Sequence, residues 1–236
     1  MSRPLAVVTG TSSGIGRAIT TSLLTSGWSV VGICRSTPDF ESSSYTHLTC
    51  DLSNPDEVAD CTKIISDTYK DTTLLINNAG VGYFGPHETL SPKTLQEMTQ
   101  VNLLAPLILT QGLLRLLREN QGRIIAISSF SAEEASSFGA AYAATKAGLS
   151  HFYESLFEET RKHGLQVTTI TPDITRTPFY SDAPFAPSDN EHAALTPECV
   201  AQAVQNVLAM RDGTVTTKVV LRPQRILLDK RPMTSR

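Results

Sequence analysis

Short apolar runs alternate with longer amphipathic stretches along this chain. The runs at residues 5–9, 29–34, 45–50, 74–77, 123–128, 166–171 and 215–221 are rich in Val, Ile, Leu and Thr and read as strands. Between them, the stretches at about 14–26, 55–69, 92–119, 140–163 and 197–210 read as helices. Thr196, Pro197 and Glu198 mark the start of the last helix: a hydroxyl residue at the cap, proline at the first helical position and an acid in the first turn. Strands that alternate with helices imply parallel strands joined by right-handed crossovers. The expected fold class is therefore α/β, a doubly wound parallel sheet of about seven strands with helices on both faces.

Such sheets bind ligands beyond the carboxyl ends of their strands. Gly10, Arg35, Asp51, Gly80, Ser129 and Pro172 follow the successive strands and fall at that edge. No internal repeat or interdomain linker breaks the pattern. Residues 177–195, rich in Pro, Phe, Ser and Asp, are the long irregular segment and are expected to form a mobile lid over the site.

Composition narrows the partners. With 236 residues the chain is long enough for one substantial α/β domain. A formal net charge of −3 and ordinary apolar content argue against a nucleic-acid scaffold and against a disordered chain. The most apolar long stretch, 101–117, contains Asn102, Pro106, Gln111 and Arg115 and reads as a buried helix, with no membrane span. No signal peptide is expected, because residues 4–9 already read as a strand. Cys34, Cys50, Cys61 and Cys199 show no Cys-x-x-Cys spacing, so reduced thiols in a cytoplasmic protein are expected, with no metal site. The stretch 222–236 is locally basic and is expected to be a solvated tail.

Two constellations carry chemistry. Gly10, Gly14 and Gly16 lie between a strand and a helix, where glycine lets backbone N–H groups approach a phosphate. Their spacing is G-x-x-x-G-x-G. Farther on, Tyr142 and Lys146 are four residues apart, so their side chains share one helix face. A free tyrosine has a pKa of ~10, and a nearby ammonium is expected to lower it toward a usable acid/base. Ser129, 13 residues before Tyr142, ends a buried strand, where its hydroxyl could polarise a substrate carbonyl. Ser128 competes for that role.

These residues resemble the motifs of single-domain short-chain dehydrogenases/reductases, and the similarity covers nearly the whole chain. Thr9–Gly16 matches TGxxxGxG; Asp51 and Leu52 match the adenine-contacting acid; Asn77, Asn78, Ala79 and Gly80 match NNAG. Asn102, Ser129, Tyr142 and Lys146 match the catalytic tetrad. The resemblance implies a Rossmann-like domain over 1–236 that transfers a hydride between a nicotinamide cofactor and a small carbonyl or alcohol substrate. It implies cofactor contacts from Gly10, Ser12, Ser13, Gly14, Ile15 and Gly16; from Arg35, Asp51, Leu52, Asn78, Ala79 and Gly80; and from Tyr142, Lys146, Pro172, Thr175 and Thr177. It favours Ser129 over Ser128, gives Lys146 the nicotinamide ribose, and has the Asn102 backbone help hold a water that links Lys146 to solvent. It also implies a homodimer or homotetramer through the helices at 92–119 and 140–163.

Cofactor choice rests on the end of the second strand. An acid there would bind the ribose hydroxyls and repel a 2′-phosphate. This chain has Cys34 and then Arg35, whose guanidinium suits a phosphate, so NADP(H) is expected over NAD(H). Ser13 counts the other way, since many NADP-preferring relatives are basic in that stretch.

Several residues depart from the family pattern. Asp173 follows Pro172 where relatives have glycine, residues 130–134 read FSAEE with no glycine, and the last strand ends in Leu221-Arg222-Pro223. Tyr83, Phe84, Phe179, Tyr180 and Phe185 could line an apolar pocket, and Glu133 or Glu134 could face substrate or solvent. An alternative reading is a non-catalytic dinucleotide-binding regulator of the same fold. Epimerisation or dehydration of a sugar nucleotide is a third, for which the chain looks short.

Overall fold

A computed structural model of the chain describes residues 3–231. Its strands are β1 (Leu5–Thr9), β2 (Ser29–Cys34), β3 (Tyr45–Thr49), β4 (Thr72–Asn77), β5 (Arg123–Ile127), β6 (Gln166–Pro172), β7 (Phe185–Pro187), β8 (Lys218–Leu221) and β9 (Leu228–Lys230). All but β7 and β9 form one seven-stranded parallel sheet in the order β3-β2-β1-β4-β5-β6-β8. The order reverses at β1, which lies between β2 and β4. A crevice opens at such a reversal, beyond the carboxyl ends of the strands. The architecture is the expected Rossmann-like doubly wound sheet.

The helices are α1 (Gly14–Thr25), α2 (Pro55–Thr68), α3 (Pro92–Thr99), α4 (Ala105–Glu119), α5 (Ala140–Thr160) and α6 (Pro197–Leu208). Successive strand residues point to opposite faces, and both faces here are covered. On β1, Ala6 and Val8 join a core with Ile19 and Leu23 of α1 and Val200 and Val204 of α6. Val7 joins the other core, with Val58 and Ile65 of α2, Leu109 and Leu113 of α4 and Leu149 of α5. Double-sided burial explains why these strands read as apolar runs rather than alternating ones.

Three sequence expectations change. The helix at 92–119 contains a widened π-turn at Gln100–Leu104, where the N–H of Ala105 reaches back to Gln100. Residue 106 is proline, so the Asn102 carbonyl lacks its α-helical partner four residues on. That helix is long and apolar enough to cross a membrane, yet Met98, Val101, Leu109, Leu113 and Leu117 are buried within the protein. Thr196 does occupy the cap position of α6, but its side chain makes no capping bond.

The third change concerns the lid and the tail. Residues 177–195 are not wholly irregular: they hold a 3₁₀ turn at Pro178–Tyr180 and the strand β7. β7 pairs antiparallel with β9, out of the stretch expected to be a solvated tail. Ser188 N–H donates to Leu227, Arg231 N–H to Pro184 and Arg225 N–H to His192, at 3.1, 2.8 and 3.0 Å. The C-terminal segment is therefore a clasp on residues 177–195. Arg236, counted among the basic tail residues, lies outside the described residues.

Candidate active site

A cleft of about 360 Å³ lies at the carboxyl ends of the central strands. At its first end the chain turns from β1 into α1. Gly10 has φ +74°, in the left-handed region, and its N–H is bonded to Ile33. A Cβ on Gly16 would collide with the Gly10 carbonyl. Ser13 enters α1 with extended backbone and makes no side-chain cap, and the first turn holds no acid. The first N–H groups of a helix have no partner within it, so this turn suits an anion.

Thr9 locks the next loop onto the turn. Its Oγ1 accepts from the N–H groups of Asn78 and Ala79, each at 2.9 Å, and Asn78 Nδ2 donates to the Thr9 carbonyl at 2.9 Å. Beyond β2, the Cys34 thiol is turned inward to Thr11 Oγ1 and the Ser36 carbonyl, each at 3.2 Å. Arg35 is left exposed on the cleft wall. The Ser53 N–H, with the Ser53 hydroxyl and Arg35, holds the Asp51 carboxyl below its usual range against the opposing effect of burial.

At the other end, β5 delivers Ser129 and α5 delivers Tyr142 and Lys146. Tyr142 is 7% exposed and Lys146 is 3% exposed. Burial pushes the Tyr142 phenol up to about 12, opposed by a hydrogen bond from Ser129. Burial pulls the Lys146 ammonium down to about 8, and its Nζ donates to the Ile127 carbonyl at 3.0 Å. The expected lowering of Tyr142 by Lys146 is thus not what sets its direction here. Desolvation sets it, against the opposing Ser129 hydrogen bond, and the ammonium is itself weakened by burial. Ser128 instead bonds Ser150 Oγ at 2.7 Å and the Lys146 carbonyl at 3.2 Å, tying β5 to α5.

Asn102 stands behind the cleft wall and is fully buried. Its side chain donates to the Val81 carbonyl (2.8 Å) and Thr145 Oγ1 (3.1 Å), and accepts from the Val81 N–H (2.8 Å). It therefore staples the loop after β4 to the helix that carries Tyr142. The other expected site residues all line the cleft: Ser12, Ser13, Gly14, Ile15, Leu52, Gly80, Pro172, Thr175 and Thr177 complete the set. Glu97, Val81 and Val101 line it as well. Glu97 accepts from the Tyr83 hydroxyl at 2.7 Å, a pairing that sequence spacing does not announce.

The family departures explain one another. Asp173 does not sit in the left-handed region; among the described non-glycine residues, only Gln121 and Phe138 do. Its N–H donates to Leu221, and its carboxylate accepts from Ile174 N–H at 2.8 Å and Arg222 Nε at 3.2 Å. The Arg222 guanidinium stands 4.0 Å over the Phe130 ring. Asp173, Phe130 and Arg222 are thus one cluster. Glu133 pairs with Lys218 at 2.7 Å and does not line the cleft. The aromatic expectation holds in part: Phe179 and Tyr180 line the cleft, Phe84 and Phe179 lie 5.4 and 5.7 Å from the Tyr142 ring, Phe84 and Phe185 pack against them, and Tyr83, Phe84 and Phe185 do not line the cleft.

Fold and cleft define a class, the open parallel α/β protein with a glycine turn at its switch point and a half-buried serine beside a buried tyrosine and lysine. A family model for short chain dehydrogenases matches residues 4–184. The chain is 30% identical over 222 residues to dehydrogenase/reductase SDR family member 7B of Bos taurus, covering 87% of this chain and 68% of that one. It is 34% identical over 180 residues to retinol dehydrogenase 5 of Mus musculus, covering 72% of this chain and 56% of that one. An uncharacterized oxidoreductase of Staphylococcus aureus strain MW2 is 30% identical over 227 residues, covering 93% and 96%. Among solved structures, an alcohol dehydrogenase of Thermococcus sibiricus complexed with 5-hydroxy-NADP superposes with TM-score 0.85 at 24% identity, covering 94% and 97%. A metagenomic short-chain oxidoreductase in complex with NADP gives TM-score 0.77 at 29% identity, with the same coverage. A 3-ketoacyl-(acyl-carrier-protein) reductase of Brucella melitensis complexed with NADH gives 0.82 at 20%, covering 95% and 98%. The chain belongs to the short-chain dehydrogenase/reductase family of oxidoreductases.

Proposed function

We propose that this protein is an NADP(H)-dependent carbonyl reductase or alcohol dehydrogenase, with residues 1–236 acting as a single dinucleotide-binding and catalytic domain. The observation that carries the reading is the convergence of Ser129, Tyr142 and Lys146 in one buried cleft, opposite an uncapped glycine turn. The glycine turn suits a pyrophosphate: Gly10 and Gly16 leave no room for side chains against Asn78, Ala79 and the Gly10 carbonyl, so the turn packs tightly ahead of an uncapped helix start. Arg35 is free to pair with a 2′-phosphate, and no acid stands in its way at Cys34. The NADP complex of the relative with 29% identity supports that preference.

A bound nicotinamide supplies or accepts the hydride. This chain's residues do the rest. Ser129 Oγ donates to the substrate oxygen and stabilises the charge that develops on it. Tyr142 gives that oxygen its proton, and a phenol held near 12 keeps its proton at neutral pH, which suits reduction. Lys146 orients the nicotinamide ribose. Asn102 acts indirectly, by holding the Val81 loop and α5 at a fixed separation, with its carbonyl released by Pro106 to hold a water. Asp173, the departure from the family pattern, is accommodated by Arg222 without backbone strain. Leu103, Leu114, Phe152 and Phe157 are partly exposed on the helices proposed to pair in a homodimer or homotetramer. The four free thiols fit a cytoplasmic setting.

The test is a panel of aldehydes and ketones with NADPH and with NADH, followed at the nicotinamide absorbance. Turnover with NADPH ahead of NADH is expected. Tight nucleotide binding without turnover of any carbonyl or alcohol would favour the regulator.

A further inference from the structure

The substrate end of the cleft has a one-sided chemistry. Phe179 and Tyr180 of the lid line it beside Tyr142, and Phe84 closes the ring cluster, 6.1 Å from Phe179. The Phe179 ring is seated in a notch at Gly82, where a Cβ would come within 2.5 Å of it. Tyr180 is half-buried, and desolvation, with Tyr142 and Asp173 nearby, drives its phenol well above the usual range, so it remains an uncharged wall. Two carboxylates line the cleft along with Phe179 and Tyr180. Glu97 is held by Tyr83, the residue next to Phe84. Asp173 is held by Arg222, and its side chain is 16% exposed.

Uncommitted cations are scarce at this end. The described residues that line the cleft include two, Arg35 and Lys146. Arg35 follows β2, at the far end, and Lys146 is bonded to the Ile127 carbonyl. A substrate carboxylate brought between Glu97 and Asp173 would lose its water and face like charges, while the nearest cations are already engaged, Arg222 by Asp173 and Lys146 by the Ile127 carbonyl. An aromatic ring, by contrast, meets edges and faces at the spacing that ring pairs favour.

We propose that the substrate is an uncharged carbonyl compound bearing an aromatic ring, held against Phe179 and Tyr180, and that Glu97 and Asp173 reject its carboxylate-bearing analogues. The inference rests on the carbonyl-reductase reading for the reaction, whereas its own test is a binding measurement.

Saturation-transfer NMR on the full-length protein, with and without NADP⁺, would compare acetophenone, 4-acetylbenzoate and butanone. Acetophenone should bind at least about tenfold more tightly than either of the others. Glu97→Gln and Asp173→Asn should each narrow the gap to 4-acetylbenzoate by about threefold or more, through tighter binding of the anion. Failure of acetophenone to bind, or equal binding of 4-acetylbenzoate or butanone, overturns the proposal. So does an unchanged gap in both variants. Should either variant fail to fold, the wild-type comparison decides alone. Acetophenone that binds but is not reduced by NADPH contradicts the proposed reaction and leaves the ligand class standing.

Discussion

Lys146 shows what the site costs the fold. A buried ammonium with the Ile127 carbonyl as its protein partner is poorly compensated, which is why burial draws it down to about 8. Lys146→Met should therefore stabilise the nucleotide-free protein by roughly 1–2 kcal/mol, the relief of desolvation less the lost hydrogen bond. The same variant should lose cofactor affinity. Urea denaturation beside a nucleotide titration checks both, and a destabilised Lys146→Met protein would contradict the first. The pH dependence follows with its sign. Lys146 binds fewer protons in the folded state than in the unfolded state between about 8 and its ordinary value, ~10.4, so stability from this group rises with pH across that window. Activity should fall over the same range as the ammonium that orients the ribose is lost, while Tyr142, held near 12, stays protonated. Asn102→Ala would leave the part-buried Val81 N–H and carbonyl without their side-chain partner and should cost about 1–3 kcal/mol by urea denaturation.

The elements differ in how plainly the sequence announces them. The central parallel strands were legible because burial on both faces demands apolar runs such as Val7-Val8 and Ile124-Ile125. Gly10 and Gly16 were legible because the turn tolerates no side chain, and Tyr142 and Lys146 because helical spacing puts them on one face. The ribbon of β7 and β9 was not. Each strand has three residues, Leu228, Asp229 and Lys230 are all exposed, and neither shows alternation. The π-turn depends on Val81 and Thr145, which reach Asn102 only in the folded chain. Pro106, four residues after Asn102, was the readable hint. The clasp yields a prediction at this scale. Removing residues 223–236 deletes β9 but leaves β8 in the sheet, so thermal stability should change little while hydrogen exchange in 177–195 accelerates and the substrate KM rises. Unchanged exchange in that segment would mean that the lid holds itself down.

At the scale of the whole molecule, the sheet arranges three regions along one cleft. Arg35 and Asp51 stand at the ends of β2 and β3, the glycine turn at the end of β1, and Ser129, Tyr142 and Lys146 beyond β5. An extended dinucleotide laid across the switch point would touch all three in that order. Arg35→Ala should weaken NADPH by about 1–3 kcal/mol and leave NADH nearly untouched, as read by fluorescence titration. Equal losses would remove Arg35 from the phosphate site. The central claim is that Tyr142 delivers the proton, and it is tested most directly by steady-state reduction on Tyr142→Phe, paired with NADPH titration of the same protein. The account predicts turnover reduced by at least about a hundredfold with nucleotide affinity unchanged, because one hydroxyl is removed from the reacting centre and none from the cradle. Near-native turnover in Tyr142→Phe would contradict it.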